Sequence, residues 1–495
     1  MKSVILLFDS LNRHYLDIYE PSGIRLANFQ RLAERSVTFD SHYAGSLPCM
    51  PARRELHTGR YNFLHSPWSP LQPFDQSVFA NLSNNCIYTH LSTDHFHYWE
   101  NGGSCYLNQY DSFEMVRGQQ GDPWKASVPT GEYADYPNRS SLRYPSDNWY
   151  HDCVNRFNIK DLEEFPIHKT FTNGLEFIKN NHSAPKWCLM IESFDPHEPF
   201  YVADEFKQYT DVLEGEIRDW PDYEWSTDEK IQAHFKQTYT NILHQCDRYL
   251  GFVLDAFDRY KLWDDTMLIV TTDHGFMLGE KNWLGKNIMP MYDEVVHLPL
   301  WIYDPRCPSR SGSRVKALTQ TVDLAPTIQG FYRLPPIPFS EGYDLTGVIR
   351  GEKAERETAL FGIFGKQVGI TDGRYVLLKG PVDHRNGPLF TYTLMPQNMR
   401  TPFSLEELGD ATLENKFKFT QNVPVLKVKA KVNIEQELLE NYLFDLEEDP
   451  KERKNLLSVP SNASVQELYS QMKLKLLAAM KDSDAPEEQF KRLGL

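Results

Sequence analysis

Four short apolar runs constrain this chain more than any other feature, because three of them stop at acids or histidines. Val4-Ile-Leu-Leu-Phe8 runs straight into Asp9. Trp187-Cys-Leu-Met-Ile-Glu192 leads to Asp195-Pro-His197-Glu-Pro, and Met267-Leu-Ile-Val-Thr-Thr272 leads to Asp273-His274-Gly275. Leu298-Pro-Leu-Trp-Ile-Tyr303 is the fourth. Runs this short and this apolar read as strands buried on both faces. Helical patterns separate them: Leu26 to Arg35, and a long stretch from Lys230 to Tyr260 with Ile242, Leu243, Leu250, Val253, Leu254 and Phe257 on its apolar face. Alternating strands and helices predict an α/β fold with a large mixed, mostly parallel sheet sandwiched by helices. Ligands in such sheets bind beyond the carboxyl ends of the strands. The polar residues after the apolar runs are therefore the first candidates for a site.

The rest of the chain fills in around that core. Its 495 residues divide into an expected catalytic domain over 1–350, a smaller C-terminal α+β domain over 351–480 and a tail over 481–495. Short strands (Ala359 to Phe364, Arg374 to Leu378) and a helix (Val465 to Met480) define the second unit. Residues 110–165 are rich in Pro, Gly, Tyr, Trp and Asp with little periodicity, which predicts a surface insertion near the site. A net charge of −16 argues against a nucleic-acid binder, whose phosphate partner would be repelled. No apolar stretch is long enough for a membrane span or a signal peptide, and seven scattered cysteines without a CxxC suit reduced thiols. Together these predict a cytoplasmic protein.

Asp9, Asp273, His274 and His197 would meet at one edge of a parallel sheet. Carboxylates with imidazole suit a divalent metal such as Mn²⁺ or Zn²⁺. Taken singly, each Asp is also an ordinary turn or capping residue. The segment Ser46-Leu-Pro-Cys49-Met-Pro51-Ala52-Arg53-Arg54 adds a cysteine at a loop-to-helix junction, with two arginines in the next turn. A helix N-terminus and nearby cations favour a thiolate and bind anions, so Cys49 is a candidate nucleophile. A buried structural cysteine is the alternative.

Cys49-x-Pro51-Ala52-Arg53 followed by Thr58-Gly59-Arg60 resembles the signature of the sulfatase family. Further matches follow in order: Asp195-Pro-His197-Glu-Pro, Asp273-His-Gly with Leu278-Gly-Glu280 and Gly285-Lys286, Tyr292-Asp-Glu294, Val322-Asp-Leu-Ala-Pro-Thr-Ile328, and Tyr442-Leu-Phe-Asp-Leu-Glu-Glu-Asp-Pro450. The resemblance implies the alkaline phosphatase-like fold and a sulfuric ester hydrolase. It implies that a maturase converts Cys49 to formylglycine. It also implies one divalent metal (Mn²⁺, Ca²⁺ or Mg²⁺, with Mn²⁺ favoured) held by Asp9, Asp273, His274 and the modified Cys49. Arg53 would hold the formylglycine, Lys286 would bind the sulfate and His197 would protonate the leaving alcohol. His95 would contact formylglycine or sulfate, with His97 as the competing candidate and Thr93 standing where many relatives have lysine.

Ser10 replaces a second carboxylate of many sulfatases. That feature, Thr93 and the closing residues 484–495 resemble phosphonate monoester hydrolases, which makes phosphodiester or phosphonate hydrolysis the alternative activity. The tail resemblance implies a homo-oligomer in which the tail docks on a neighbouring subunit. A catalytically silent binding protein is the third reading. The expected substrate is a small anionic sulfate ester, a sulfated glycan or an aryl sulfate. Trp99, Trp124, Tyr133, Tyr136 and Tyr144 are candidates for stacking on it, and His384 and Arg385 for lining the pocket rim.

Overall fold

The computed structural model describes residues 1–128, 146–207, 219–415, 417–458 and 462–495. Each apolar run forms a strand where the sequence places one. Lys2–Phe8, Trp187–Ser193, Thr266–Thr271 and His297–Tyr303 belong to one eight-stranded sheet, in the order Arg314–Gln320, Val37–Tyr43, His297–Tyr303, Thr266–Thr271, Lys2–Phe8, Trp187–Ser193, Tyr88–Thr93, Ser112–Met115. Pairing is parallel throughout except at His297–Tyr303, which runs against both neighbours. The first strand lies central and is buried along its whole length, as a sheet covered on both faces requires.

Helices cover the two faces. On one, Glu229–Arg259 and Pro166–Asn181 pack with Ala27–Arg35 on residues such as Val4, Leu6, Leu189 and Val270. On the other, Cys49–Thr58, Val78–Asn84 and Leu324–Phe331 cover Ile5, Met190 and Ile269. Alternate residues of one strand thus feed two cores, the period-2 consequence of the pleat. Asp228 caps the long helix by accepting from the Lys230 and Ile231 amides.

A five-stranded sheet carries Tyr442–Asp445, Tyr375–Lys379, Val368–Thr371, Ala359–Ile363 and, at its edge, Ser46–Leu47. This last strand comes from the segment that enters the Cys49 helix. The C-terminal sheet therefore grips the chain three residues before the candidate nucleophile.

One region differs from the sequence expectation. Within 110–165, Ser112–Met115 is the edge strand of the main sheet and Ser146–Phe157 is a helix. The tail packs against its own chain. Its helix Glu487–Leu493 sends Gln489 to the Leu64 carbonyl (2.8 Å) and Arg492 to Asn386 (3.0 Å), while Tyr392 donates to Glu488 (2.7 Å). No helix among the described residues is long and apolar enough to cross a membrane.

Candidate active site

The carboxyl ends of the central strands deliver Asp9, Glu192 and Asp273 to one place. Gly275 lets the loop after Asp273 press against the next segment, since a Cβ there would strike the Glu294 carbonyl. The Cys49–Thr58 helix is buried at every residue and ends at Gly59, whose φ of 62° suits a residue without a Cβ. Ser46 is pinned from both sides: its amide donates to Glu55 (2.6 Å) and its hydroxyl accepts from the Asn62 amide (2.9 Å).

Arg53 is the hub. It donates to Asp273 Oδ2 (2.6 Å), to Asp9 Oδ2 (2.9 Å), to the Cys49 carbonyl (3.1 Å) and to Glu192. Arg54, one residue on, turns away to Asp75 (2.7 Å) and Ser69 (3.0 Å). Three carboxylates therefore face one guanidinium at a fully buried point. Burial works to raise the Asp9 carboxyl, but Arg53 and then Lys286 hold it well below the usual carboxylate range. Burial leaves Glu192 above its ordinary value despite Arg53.

Four donors converge beside this hub. One ligand atom each from Asp9, Cys49, Asp273 and His274 lies within 4.8 Å of all the others. The Cys49 sulfur is 3.1 Å from His274 Nε2 and 4.0 Å from Asp9 Oδ1, and His274 Nε2 is 3.4 Å from Asp273 Oδ2. The Gly275 carbonyl takes His274 Nδ1–H (2.9 Å), which leaves Nε2 as the free imidazole donor. Two carboxylates, an imidazole and the residue at 49, with negative charge in excess of Arg53, fit a divalent cation. Burial, and then Asp9, push the Cys49 thiol well above its ordinary pKa. The thiolate expected from the helix N-terminus is thus not favoured here, because desolvation outweighs the dipole and the arginine.

Cys49 opens onto a cavity of about 680 Å³ that Trp68, His97, His197, Glu198 and Lys286 help to line. Lys286 Nζ is 3.2 Å from Ser10 Oγ and 3.5 Å from Glu198 Oε2. His197 directs Nδ1 to the Glu198 carbonyl (2.5 Å), and burial, then Lys286, lower its pKa well below the ordinary value. His97 reaches the cavity wall and pairs with Glu100 (3.0 Å). His95 lies deeper, between the rings of His97, Tyr98 and Phe194, with both ring nitrogens buried and without a partner. Thr93 turns its hydroxyl to Glu192 (3.0 Å) and accepts the His95 amide (3.0 Å).

His384 and Arg385 are exposed, away from the cavity lining, and Arg385 is bound to Asp383 (2.7 Å). Trp99 carries Arg117 on its face and Trp124 packs on Gly118, and neither lines the cavity. Tyr133, Tyr136 and Tyr144 lie outside the described residues. The basic residue at the rim is instead Arg400, stacked on Trp68 at 5.3 Å and hydrogen-bonded to Glu100 (3.1 Å). Sequence reading also passed over Glu192 as a strand end, although a lone acid closing an apolar run beside other such ends is a usable signal. Tyr223, which donates to Glu198, offered no signal.

The sulfatase family model matches residues 2–331. The choline-sulfatase of Rhizobium meliloti is 23% identical over 75% of this chain and 77% of its own length. The N-acetylglucosamine-6-O-sulfatase of Bacteroides thetaiotaomicron is 20% identical over 98% of this chain and 88% of its own. Among solved structures, a phosphonate monoester hydrolase from Silicibacter pomeroyi superposes with a TM-score of 0.68 at 18% identity, covering 98% of this chain and 96% of that one. The fold, the family match over two thirds of the chain and these relatives agree that the chain belongs to the sulfatase family, the hydrolases of sulfate esters.

Proposed function

We propose that this chain hydrolyses a small sulfate ester with a formylglycine made from Cys49 and one divalent metal, Mn²⁺ favoured over Ca²⁺ and Mg²⁺. The observation that carries the reading is the convergence of Asp9, Cys49, Asp273 and His274 beside Arg53, at the floor of a cavity that Lys286 and His197 line. When bound, the metal supplies positive charge that lowers the pKa of a hydroxyl at residue 49. Formylglycine supplies a hydrated aldehyde, in which one hydroxyl attacks sulfur and the other lets sulfate depart without water attacking the ester.

The remaining work falls to the chain's own residues. Arg53 fixes Oδ2 of Asp9, which leaves Oδ1 toward Cys49, and fixes Oδ2 of Asp273, whose Oδ1 is held by the Ser10 and His274 amides. Lys286 holds the sulfate oxygens. His197, with Nδ1 engaged by a carbonyl, has Nε2 for protonating the leaving alcohol, and the sulfate charge beside it favours the protonated ring. The two unpartnered nitrogens of His95 suit a hydrogen bond to a group at residue 49 or to sulfate, and His97 suits a contact farther out. Trp68, Phe96 and Met399 on the wall suit a sugar or aryl face, in a cavity of the size that takes small ligands.

A phosphonate monoester or phosphodiester hydrolase is the second reading, favoured by Ser10 beside Asp9 and by Thr93. The intact donor set argues against a silent binding protein. Mass spectrometry of the tryptic peptide spanning Cys49, after coexpression with a maturase, tests the nucleophile. Full activity with an unmodified thiol overturns it. Aryl sulfate, phosphodiester and phosphonate substrates compared by kcat/KM separate the two activities.

A further inference from the structure

Glu198 is an acid inside a cavity proposed to receive an anion. It is 1% exposed and, among the described residues that line this cavity, it is the one carboxylate. Asp9, Asp273 and Glu192 are all bound to Arg53 behind Cys49. Glu198 instead accepts the Tyr223 hydroxyl on Oε1 and turns Oε2 toward the two groups assigned to the ester, 3.2 Å from His197 Nδ1 and 3.5 Å from Lys286 Nζ. Oε2 is buried without a hydrogen bond. Burial raises the Glu198 carboxyl above its ordinary value, while Lys286 and the Tyr223 hydroxyl work to keep it ionised.

Of the two cations that line the cavity, Arg400 is held at Trp68 and Glu100, and Lys286, the one beside Cys49, is already half-answered by Glu198. A ligand with a single negative charge completes the pairing with Lys286. A second negative charge on the ligand meets Glu198 a few ångströms away, in surroundings where water screens little. Hydrolysis makes the same distinction, since a monoanionic sulfate ester and water give an alcohol, dianionic sulfate and a proton. The product carries one more negative charge than the substrate.

We propose that Glu198 is the charge-class selector of this cavity: it favours monoanionic esters over dianionic phosphate monoesters and promotes release of the dianionic product. The inference rests on the reading of this cavity as the sulfate-ester site. It assigns Glu198 to specificity and not to bond cleavage.

Glu198→Gln keeps the shape and the oxygen that accepts from Tyr223. At pH 8, the ratio of kcat/KM for 4-nitrophenyl sulfate to that for 4-nitrophenyl phosphate is expected to fall by about tenfold, and inorganic sulfate to inhibit about tenfold more tightly. A parallel change in both substrates, with sulfate inhibition unmoved, overturns the proposal and leaves Glu198 as a positioning residue for Lys286 and His197. Calorimetry on the wild-type protein needs neither turnover nor a folded variant. Methanesulfonate, a monoanion, is expected to bind about tenfold more tightly than dianionic sulfate, and equal or weaker binding overturns the proposal. Absence of turnover together with that binding preference would fault the catalytic reading alone.

Discussion

Two cavities flank the loop that follows Asp273, and the larger one is not the candidate active site. It measures about 900 Å³ against about 680 Å³ and holds more charged side chains. In the larger cavity the charges at its centre are answered by neighbours of opposite sign: His14 by Glu20 (2.7 Å) and Asp293 (2.9 Å), Lys281 by Glu294 (2.8 Å). Beside the smaller one, three carboxylates share Arg53, and donor atoms converge without filling one another's needs. A paired network is complete as folded, whereas a convergent and charge-unbalanced one is built for something to arrive. Several residues of the family motifs, among them Glu280, Tyr292 and Glu294, line the paired cavity. Part of what looks like catalytic sequence is thus structural ion pairing.

The sharpest way to break this contrast is to remove the proposed nucleophile. Cys49→Ala is expected to lower kcat by about 10⁴-fold or more while the circular dichroism spectrum and melting temperature stay near wild type. Lys281→Met in the paired cavity is expected to retain most of kcat. Comparable losses in both would show that the two cavities act as one site.

Stability separates them next. Arg53→Met leaves Asp9, Asp273 and Glu192 buried without their cation, a change of the kind that costs about 3–5 kcal/mol. Lys281→Met strands a single carboxylate, Glu294, in place of three, and should cost about 1–2 kcal/mol. Urea unfolding of metal-stripped protein measures both. Equal costs would mean that the carboxylates around Arg53 are protonated when metal-free.

The paired cavity carries its own pH signature. Burial would lower the His14 pKa, but Asp293 and Glu20 raise it to about 10, so the folded state holds this proton more tightly than the unfolded chain does. That contribution is fully present below the unfolded value near 6.5 and is lost as pH climbs through about 10. Burial, and then Asp293, raise Glu452 to about 8, and ionising it in the folded state also costs stability as pH rises. The two act in the same direction. The melting temperature is expected to fall between pH 6 and 10, with His14→Gln flattening the fall by on the order of 2 kcal/mol at 25 °C. A profile unchanged by His14→Gln would remove the network from the account.

How much of this was legible in the sequence depended on whether a residue's partners lie near it along a recognisable pattern. Asp9, Asp273 and His274 could be read because each ends an apolar run, and the parallel sheet aligns those ends. The reversed direction of His297–Tyr303 could not, since a strand buried on both faces has the same pattern either way. The thiol's ionisation was misjudged because a helix N-terminus is visible in sequence and the depth of burial is not. Arg400 was out of reach for a different reason. Its loop is brought to the cavity by long-range backbone bonds, Met399 to the Trp68 carbonyl (3.0 Å) and Gly102 to the Met399 carbonyl (2.9 Å), which no local pattern encodes.

That last residue gives the smallest test of the comparison, and it concerns the rim alone. Arg385 was the expected rim cation, but its own neighbour Asp383 satisfies it two residues away, on the surface. Arg400 reaches the cavity, with its guanidinium over Trp68 and its Nε on Glu100, which also pairs with His97. A substrate resting on Trp68 would meet that guanidinium edge. Arg400→Ala is therefore expected to raise KM by about three- to tenfold with kcat nearly unchanged, the mark of binding shared by ground and transition states. Arg385→Ala should stay within about twofold in both, as an exposed local pair implies. Steady-state kinetics with one aryl sulfate decides the matter: a loss confined to Arg385→Ala would move the rim to the other loop, and a kcat effect at Arg400 would tie Glu100 and His97 to the chemistry.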